Sequence, residues 1–180
     1  MTIKKIGIFG GSFNPPHRGH RATAEYVLKE KKADEIWVIP CWEHPFDKPL
    51  VPFEHRLKMC ALGMGSLGNQ IRCLDIEKKL GGKSYTFRTV SALKQKYPEH
   101  RFYLIVGEDV AEEAKQWNRY EELKKSVEWI VIPRGEGSPI PNISATEVRT
   151  ALALHKNLEG VLEKNVVEYI ERHGLYKSGT

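Results

Sequence analysis

The chain has 180 residues, of which 41% are hydrophobic and 28% are charged, and these values fit one globular domain with a sizeable core. Its apolar runs are far shorter than the ~20 residues that span a bilayer, and its start, MTIKKIGIFGG, lacks the apolar region of a signal peptide, so we expect a cytoplasmic protein. The three cysteines form no C-x-x-C pair, which argues against a disulfide framework, while the net charge of +5 fits either anionic partners or a merely basic surface.

Strand and helix signals alternate from the N-terminus onward. Apolar runs and period-two patterns predict five strands, at 3–9, 35–40, 71–77, 101–107 and 128–133. Helical periodicity predicts helices at 18–31, 53–63, 86–97, from Glu108 onward, 145–154 and 162–172. The chain contains no internal repeat or linker. We therefore expect a single domain over residues 1–180.

Strands that alternate with helices predict an α/β fold, here a Rossmann-like, doubly wound, parallel five-stranded sheet with helices at the C-terminus. Such sheets bind ligands outside the carboxyl ends of their strands, at the topological switch point. The unusual segments of this chain follow such ends, at 10–20, 41–48, 107–109 and 134–149. The sequence therefore predicts one ligand site at the carboxyl edge of the sheet.

The segment IGIFGGSFNPPHRGH, residues 6–20, joins the first strand to the first helix. Gly10 and Gly11 allow backbone N–H groups to approach a phosphate closely, although a plain strand-to-helix turn also uses glycines. The pattern is neither G-x-G-x-x-G nor G-x-x-x-x-G-K-[ST], so redox dinucleotide and Walker-type sites are disfavoured.

His17 and His20 share one helical face near a helix N-terminus, where the macrodipole attracts anions. Gly19 between them leaves room for a ligand against the backbone. Imidazoles that donate to phosphate oxygens would neutralise charge while a bond breaks. A zinc site would need more ligands, and His44 and His55 do not complete a regular zinc spacing, so we expect no protein-held metal.

Two further segments carry polar groups at the same edge. In ISATEVR, residues 143–149, Ser144 and Glu147 form the pattern of a capping box, which leaves Thr146 and Arg149 available to hold a triphosphate. In the other segment, Asp109 follows a buried strand, where a carboxylate accepts hydrogen bonds from ribose hydroxyls or caps a helix.

Together these motifs resemble the nucleotidyltransferase superfamily. GIFGGSFNPPHRGH is similar to the signature G-G-[ST]-F-[DN]-P-x-H-x-G-H, and ISATEVR is similar to I-S-[SA]-T-x-[IV]-R. Four more segments resemble the bacterial nicotinate-nucleotide adenylyltransferases within that superfamily, namely SYTFRTVSALKQKYP (84–98), IVGEDV (105–110), KQWNRYEEL (115–123) and YIERHGLYK (169–177). The resemblance covers nearly the whole chain.

The resemblance implies transfer of the adenylyl group of ATP to nicotinate mononucleotide, with release of pyrophosphate, in NAD biosynthesis. It implies Mg²⁺ bound with ATP, no nucleic-acid or membrane partner, and leaves a homodimer open. The implied catalytic residues are His17, His20 and Arg149. The implied ATP-binding residues are Gly10, His17, Gly19, His20, Gly107, Asp109, Ile143, Ser144, Thr146 and Arg149. The implied mononucleotide-binding residues are Gly11, Ser12, Phe13, Cys41, Lys48, Tyr85, Thr86, Trp117 and Arg134.

The sequence departs from the family pattern mainly on the acceptor side. Cys41 stands where the family has asparagine, and the histidine–basic pair that follows is out of register, which leaves Lys48 as the candidate base. Asn118 replaces a common aromatic, and the segment between Arg134 and Ile143 is short. Nucleotidyl transfer is therefore predicted more firmly than the acceptor.

Three competing functions stay open on the sequence alone. The first is adenylyl transfer to nicotinamide mononucleotide. The second is the activity of a different superfamily member, such as a pantetheine-phosphate adenylyltransferase or a cytidylyltransferase. The third is a non-catalytic role as a nucleotide sensor or nucleic-acid-binding module. The segments SYTF and HGLYK argue against a different superfamily member. A sensor or nucleic-acid-binding module has only the net charge in its support.

Overall fold

A computed structural model describes residues 2–177 as one five-stranded parallel sheet flanked by helices. The strands, in spatial order β3-β2-β1-β4-β5, are β1 (Lys5–Gly11), β2 (Glu35–Pro40), β3 (Ile71–Cys73), β4 (Arg101–Gly107) and β5 (Glu128–Ile132). The predicted fold class is confirmed. The order places the topological switch point between β1 and β4, so the segments after these two strands face a common crevice.

Eight α-helices connect and cover the strands in the described part of the chain. They are α1 (Arg18–Lys29), α2 (Phe53–Met64), α3 (Ile76–Leu80), α4 (Thr86–Lys96), α5 (Glu108–Glu113), α6 (Tyr120–Ser126), α7 (Ala145–Ala153) and α8 (Lys164–His173). Short 3-10 helices follow α2 and α5, at Gly65–Gln70 and Ala114–Gln116. No helix among residues 2–177 is both long and apolar enough to cross a bilayer.

Both faces of the central strands are buried because alternate residues of each strand point to opposite helical layers. Ile6 and Ile8 of β1 pack with Trp37 on one face, whereas Phe9 packs on the other face with Val27 of α1. A third apolar cluster joins α2, α7 and α8. This cluster holds the C-terminal helices against the edge where the site residues lie.

The structure differs from the prediction at two elements. The strand predicted at 71–77 ends at Cys73, and Ile76 already begins α3, because Glu77 turns inward to bond Thr89 and Trp42. Helix α6, at Tyr120–Ser126, was not predicted, since only Leu123 of this highly charged segment is buried. The remaining helix and strand bounds differ from the predicted ones by a few residues.

Candidate active site at the carboxyl edge of β1 and β4

The two histidines of the first loop lie side by side at the N-terminus of α1. His17 is the N-cap residue, and its backbone N–H donates to His20 Nδ1 at 3.1 Å. The two rings stack with their centroids 3.7 Å apart, and the ring of Phe13 contacts His20 edge-on at 4.9 Å. Because its Nδ1 accepts that bond, His20 carries its proton on Nε2 when neutral.

Burial and positive neighbours keep both imidazoles neutral near pH 7. Burial, then the charge of Arg134, lowers the pKa of His17 to about 4. Burial, then His17 and Arg134, holds the pKa of His20 well below its usual range. His17 Nδ1 is buried and has no hydrogen-bond partner. A phosphate could pair with such a buried imidazole nitrogen, and its negative charge would raise both pKa values.

Gly19 has a packing role that the sequence did not reveal. A Cβ at this position would lie 3.0 Å from His17 Nδ1 and 3.2 Å from the carbonyl oxygen of Pro141. The glycine therefore lets the start of α1 approach the loop that leads into α7. Gly10 differs, because a Cβ there would meet nothing within 4 Å.

Asn14 connects the histidine loop to three distant segments. Its backbone carbonyl accepts from Arg149 Nη1 at 2.9 Å, and its side-chain oxygen accepts from Tyr176 Oη–H at 2.9 Å and from the Val51 N–H at 3.2 Å. Asn14 is itself only 4% exposed. The arginine of the second signature therefore touches the histidine loop three residues before His17, as the shared-triphosphate prediction requires.

The start of α7 presents the second signature. Ser144 is the N-cap residue and accepts from the Glu147 N–H at 3.4 Å, which confirms its predicted capping role. Thr146 is exposed, and its Oγ1 accepts from Arg149 Nη2 at 3.1 Å. Ile143 packs against the cluster of α2, α7 and α8. These contacts orient the Arg149 guanidinium before any ligand binds.

Arg134 lies beside the residues predicted for the adenosine ribose. Its Nε is 3.5 Å from Asp109 Oδ1, and a Cβ on Gly107 would come within 2.9 Å of the same nitrogen. Arg134 Nε is buried without a hydrogen-bond partner, and its charge acts on both histidines. Arg134, which the sequence assigned to the mononucleotide, therefore lies beside two predicted ATP-binding residues, and its ligand stays a prediction.

The predicted acceptor residues are joined by contacts between their segments. Trp42, next to Cys41, donates its N–H to Ser84 Oγ at 2.8 Å, and Ser84 precedes Tyr85, the N-cap residue of α4. The guanidinium of Arg119, two residues after Trp117, stacks on the ring of Phe87 at 3.9 Å, next to Thr86. Burial, then the charge of the exposed Lys48, lowers the pKa of His44, so Lys48 lies near that histidine in the same loop.

Sequence reasoning missed Arg56, Glu77 and Tyr176. Arg56 is only 1% exposed and donates to Ser12 O at 3.0 Å and to Val51 O at 2.9 Å. It lies in α2, where a charged residue ordinarily faces solvent. The available signal was its spacing from the apolar residues Phe53 and Cys60, which lie on the same face of α2. Among residues 2–177 no three His, Cys, Asp or Glu side chains are arranged to hold a metal ion.

Replacement of Gly10 by alanine tests whether this glycine serves a ligand. We expect Gly10→Ala to raise KM for ATP by about tenfold, because the added methyl occupies space that only a ligand would use, and to leave the melting temperature unchanged. Gly65→Ala is the control, since a Cβ there also meets nothing within 4 Å. Steady-state kinetics and thermal unfolding of both variants check this, and an unchanged KM in Gly10→Ala would remove Gly10 from the site.

The lowered pKa of His17 predicts a pH-dependent stability. Between the unfolded value of 6.5 and the folded value of about 4, the unfolded chain binds the extra proton, so the free energy of unfolding falls as the pH falls through that window. The loss from His17 alone at pH 5 is about 2 kcal/mol. Urea titrations at pH 7.5 and pH 5 should show a smaller loss in His17→Asn than in the wild type. Equal losses would contradict the neutral-imidazole account.

Known proteins resemble this chain over most of its length. The cytidylyltransferase-like family model matches residues 8–151. A probable nicotinate-nucleotide adenylyltransferase from Anaeromyxobacter sp. (strain K) is 37% identical over 183 aligned residues, covering 97% of each chain. The nicotinate-nucleotide adenylyltransferase of Bacillus subtilis (strain 168) is 34% identical, covering 98% of this chain and all (100%) of that protein.

Solved structures share the fold. A putative nicotinate-nucleotide adenylyltransferase from Vibrio parahaemolyticus aligns with a TM-score of 0.79 at 22% identity, covering 98% of this chain and 97% of the other. The Plasmodium falciparum nicotinic acid mononucleotide adenylyltransferase complexed with NaAD aligns with a TM-score of 0.82 at 23% identity, covering 96% and 97%.

This chain is a member of the cytidylyltransferase-like family, because the family model matches most of it and its sheet has the order of a doubly wound fold. Within that family it belongs, over nearly its whole length, to the nicotinate-nucleotide adenylyltransferases.

Proposed function

We propose that this enzyme transfers the adenylyl group of ATP to nicotinate mononucleotide and releases pyrophosphate, with nicotinate adenine dinucleotide as the other product. The full-length relationship to nicotinate-nucleotide adenylyltransferases supports the reaction. The observation that carries the site is the contact of Arg149 with Asn14, because it brings the second signature to the histidine loop.

The reaction needs positioning and charge stabilisation rather than a general base. The acceptor is already an anionic phosphate, which attacks the α-phosphorus of ATP while the bond to the pyrophosphate leaving group breaks. His17 and His20, neutral in the free protein, would donate N–H groups to phosphate oxygens and gain protons as negative charge develops. Arg149 would hold the departing pyrophosphate in a bidentate manner.

Magnesium would arrive with ATP as part of the substrate and would supply positive charge at its phosphates. The chain's own contribution to phosphate binding would then come from His17, His20, Arg134 and Arg149. Asp109 would accept from the ribose of adenosine, with Arg134 beside it at 3.5 Å. A homodimer, a cytoplasmic location and the lack of a nucleic-acid partner stay predictions from the sequence.

The choice of nicotinate over nicotinamide mononucleotide is tested by steady-state rates with both acceptors under saturating ATP and magnesium. We expect kcat/KM to favour the nicotinate form, as the names of the relatives suggest. Cys41, in place of the family's asparagine, makes the amide the specific competitor. A ratio that favours the amide would overturn the substrate assignment.

Turnover only with phosphopantetheine or CTP would indicate a different member of the superfamily, and ATP binding without any turnover would indicate a nucleotide sensor.

A further inference from the structure

The guanidinium of Arg56 is the centre of a hydrogen-bonded group that joins the predicted acceptor loops. It donates to Val51 O at 2.9 Å and to Ser12 O at 3.0 Å, and it lies 3.5 Å from Trp42 O and 4.0 Å from Cys41 Sγ. These acceptors belong to the loop after β1 and to the loop between β2 and α2. One fully buried side chain therefore fixes the distance between two loops that the sequence separates widely.

The bond to Ser12 O acts directly on a peptide group of the site. Ser12 C=O and Phe13 N–H belong to the same peptide unit, so a cation on the oxygen polarises the N–H and makes it a stronger donor. Phe13 has φ of 46°, a left-handed conformation that is costly for a bulky aromatic residue. The bond from Arg56 stabilises this orientation of the peptide, whose N–H belongs to Phe13, a predicted mononucleotide-binding residue.

Glu77 holds the same loop from the other side. This buried carboxylate accepts from Thr89 Oγ1 at 2.8 Å and from the Trp42 N–H at 3.3 Å. Burial raises the pKa of Glu77, and hydrogen bonds from Ser84, Thr89 and Trp42, followed by the charge of Arg56, offset part of that rise. The peptide groups on both sides of Trp42 are thus held, one by a buried cation and one by a buried acid.

We infer that Arg56 is a positioning residue for the acceptor mononucleotide: it orients the Ser12–Phe13 peptide and the loop at Cys41 and Trp42, and it contributes buried positive charge beside an acidic acceptor. It acts through these groups and leaves ATP binding to the histidines and Arg149. The inference rests on the proposed function. It assigns Arg56 to the binding of one of the two substrates of that reaction, the mononucleotide.

The test is the change of each KM in Arg56→Lys and Arg56→Gln. Lysine keeps the charge but cannot donate to several carbonyls at once, so we expect KM for nicotinate mononucleotide to rise at least about tenfold, and more in Arg56→Gln. KM for ATP should stay within about twofold, a split that general loosening of the fold would not give. Arg72→Lys, an exposed arginine of β3, is the matched control and should change neither KM.

Equal changes of both KM values, or none, would overturn the inference. A second measurement on the wild-type protein holds even if the variants fail to fold: the ¹⁵N signal of Arg56 Nε should shift on addition of nicotinate mononucleotide alone and not on addition of ATP alone. No shift, or a shift with ATP only, would also overturn it. A wild type without turnover on nicotinate mononucleotide would instead refute the proposed function, so the two failures are distinguishable.

Discussion

The variant His20→Ala should lose at least tenfold in kcat, equivalent to ~1.4 kcal/mol of barrier. Nδ1 of the His20 ring accepts from the His17 N–H at 3.1 Å, which leaves Nε2 as the ring nitrogen that can donate to a ligand. The loss should fall on kcat because the imidazole acts most strongly where negative charge develops.

A second substitution separates chemistry from local structure. Asparagine in His20→Asn can still accept from the His17 N–H, so the start of α1 is kept while Nε2 is lost. We expect His20→Asn to be as slow as His20→Ala. His155→Asn, an exposed histidine with φ of 51°, is the control because asparagine tolerates that conformation. Wild-type turnover in either His20 variant would remove His20 from the mechanism.

The variant Arg149→Ala should lose about 30- to 100-fold in kcat/KM for ATP, or about 2–3 kcal/mol. In the free protein its two terminal nitrogens donate to Asn14 O and Thr146 Oγ1, so the guanidinium is already placed between the histidine loop and α7. Arg149→Lys should recover only part of the loss, because an ammonium group cannot replace the two-pronged contact.

Two control variants test whether the loss of kcat/KM is specific to Arg149. Thr146→Val removes one partner of the guanidinium and should cost less than Arg149→Ala. Arg101→Ala, at the exposed first residue of β4, removes the same charge at the opposite end of the strand and should leave kcat/KM unchanged. Equal losses in Arg149→Ala and Arg101→Ala would mean that the protein acts through its overall charge rather than through a placed arginine.

The fold could be predicted from sequence because the relevant signals are local. The continuous apolar run of β2 and the burial of both faces of β4 are patterns that a parallel sheet imposes on neighbouring residues. The short strand β3 and helix α6 were not predicted well, because distant contacts decide them. Glu77 turns α3 inward toward Thr89, and α6 has a single buried residue.

The site was predicted in part for the same reason. The signature residues follow strand ends, so the parallel topology alone brings them to one edge. The placement of Arg134 beside Asp109 and the burial of Arg56 depend on how loops of different length meet. The Tyr176 hydroxyl reaches Asn14 across a sequence separation of 162 residues, and no local pattern encodes such a bond.

The most direct test of the central claim is a crystal structure with a non-hydrolysable ATP analogue and magnesium. We predict phosphate oxygens within hydrogen-bond distance of the His20 imidazole and of the Arg149 guanidinium in the same complex. A triphosphate that contacts only one of these two residues, or that lies outside the crevice between β1 and β4, would contradict the claim that the two signatures bind one triphosphate.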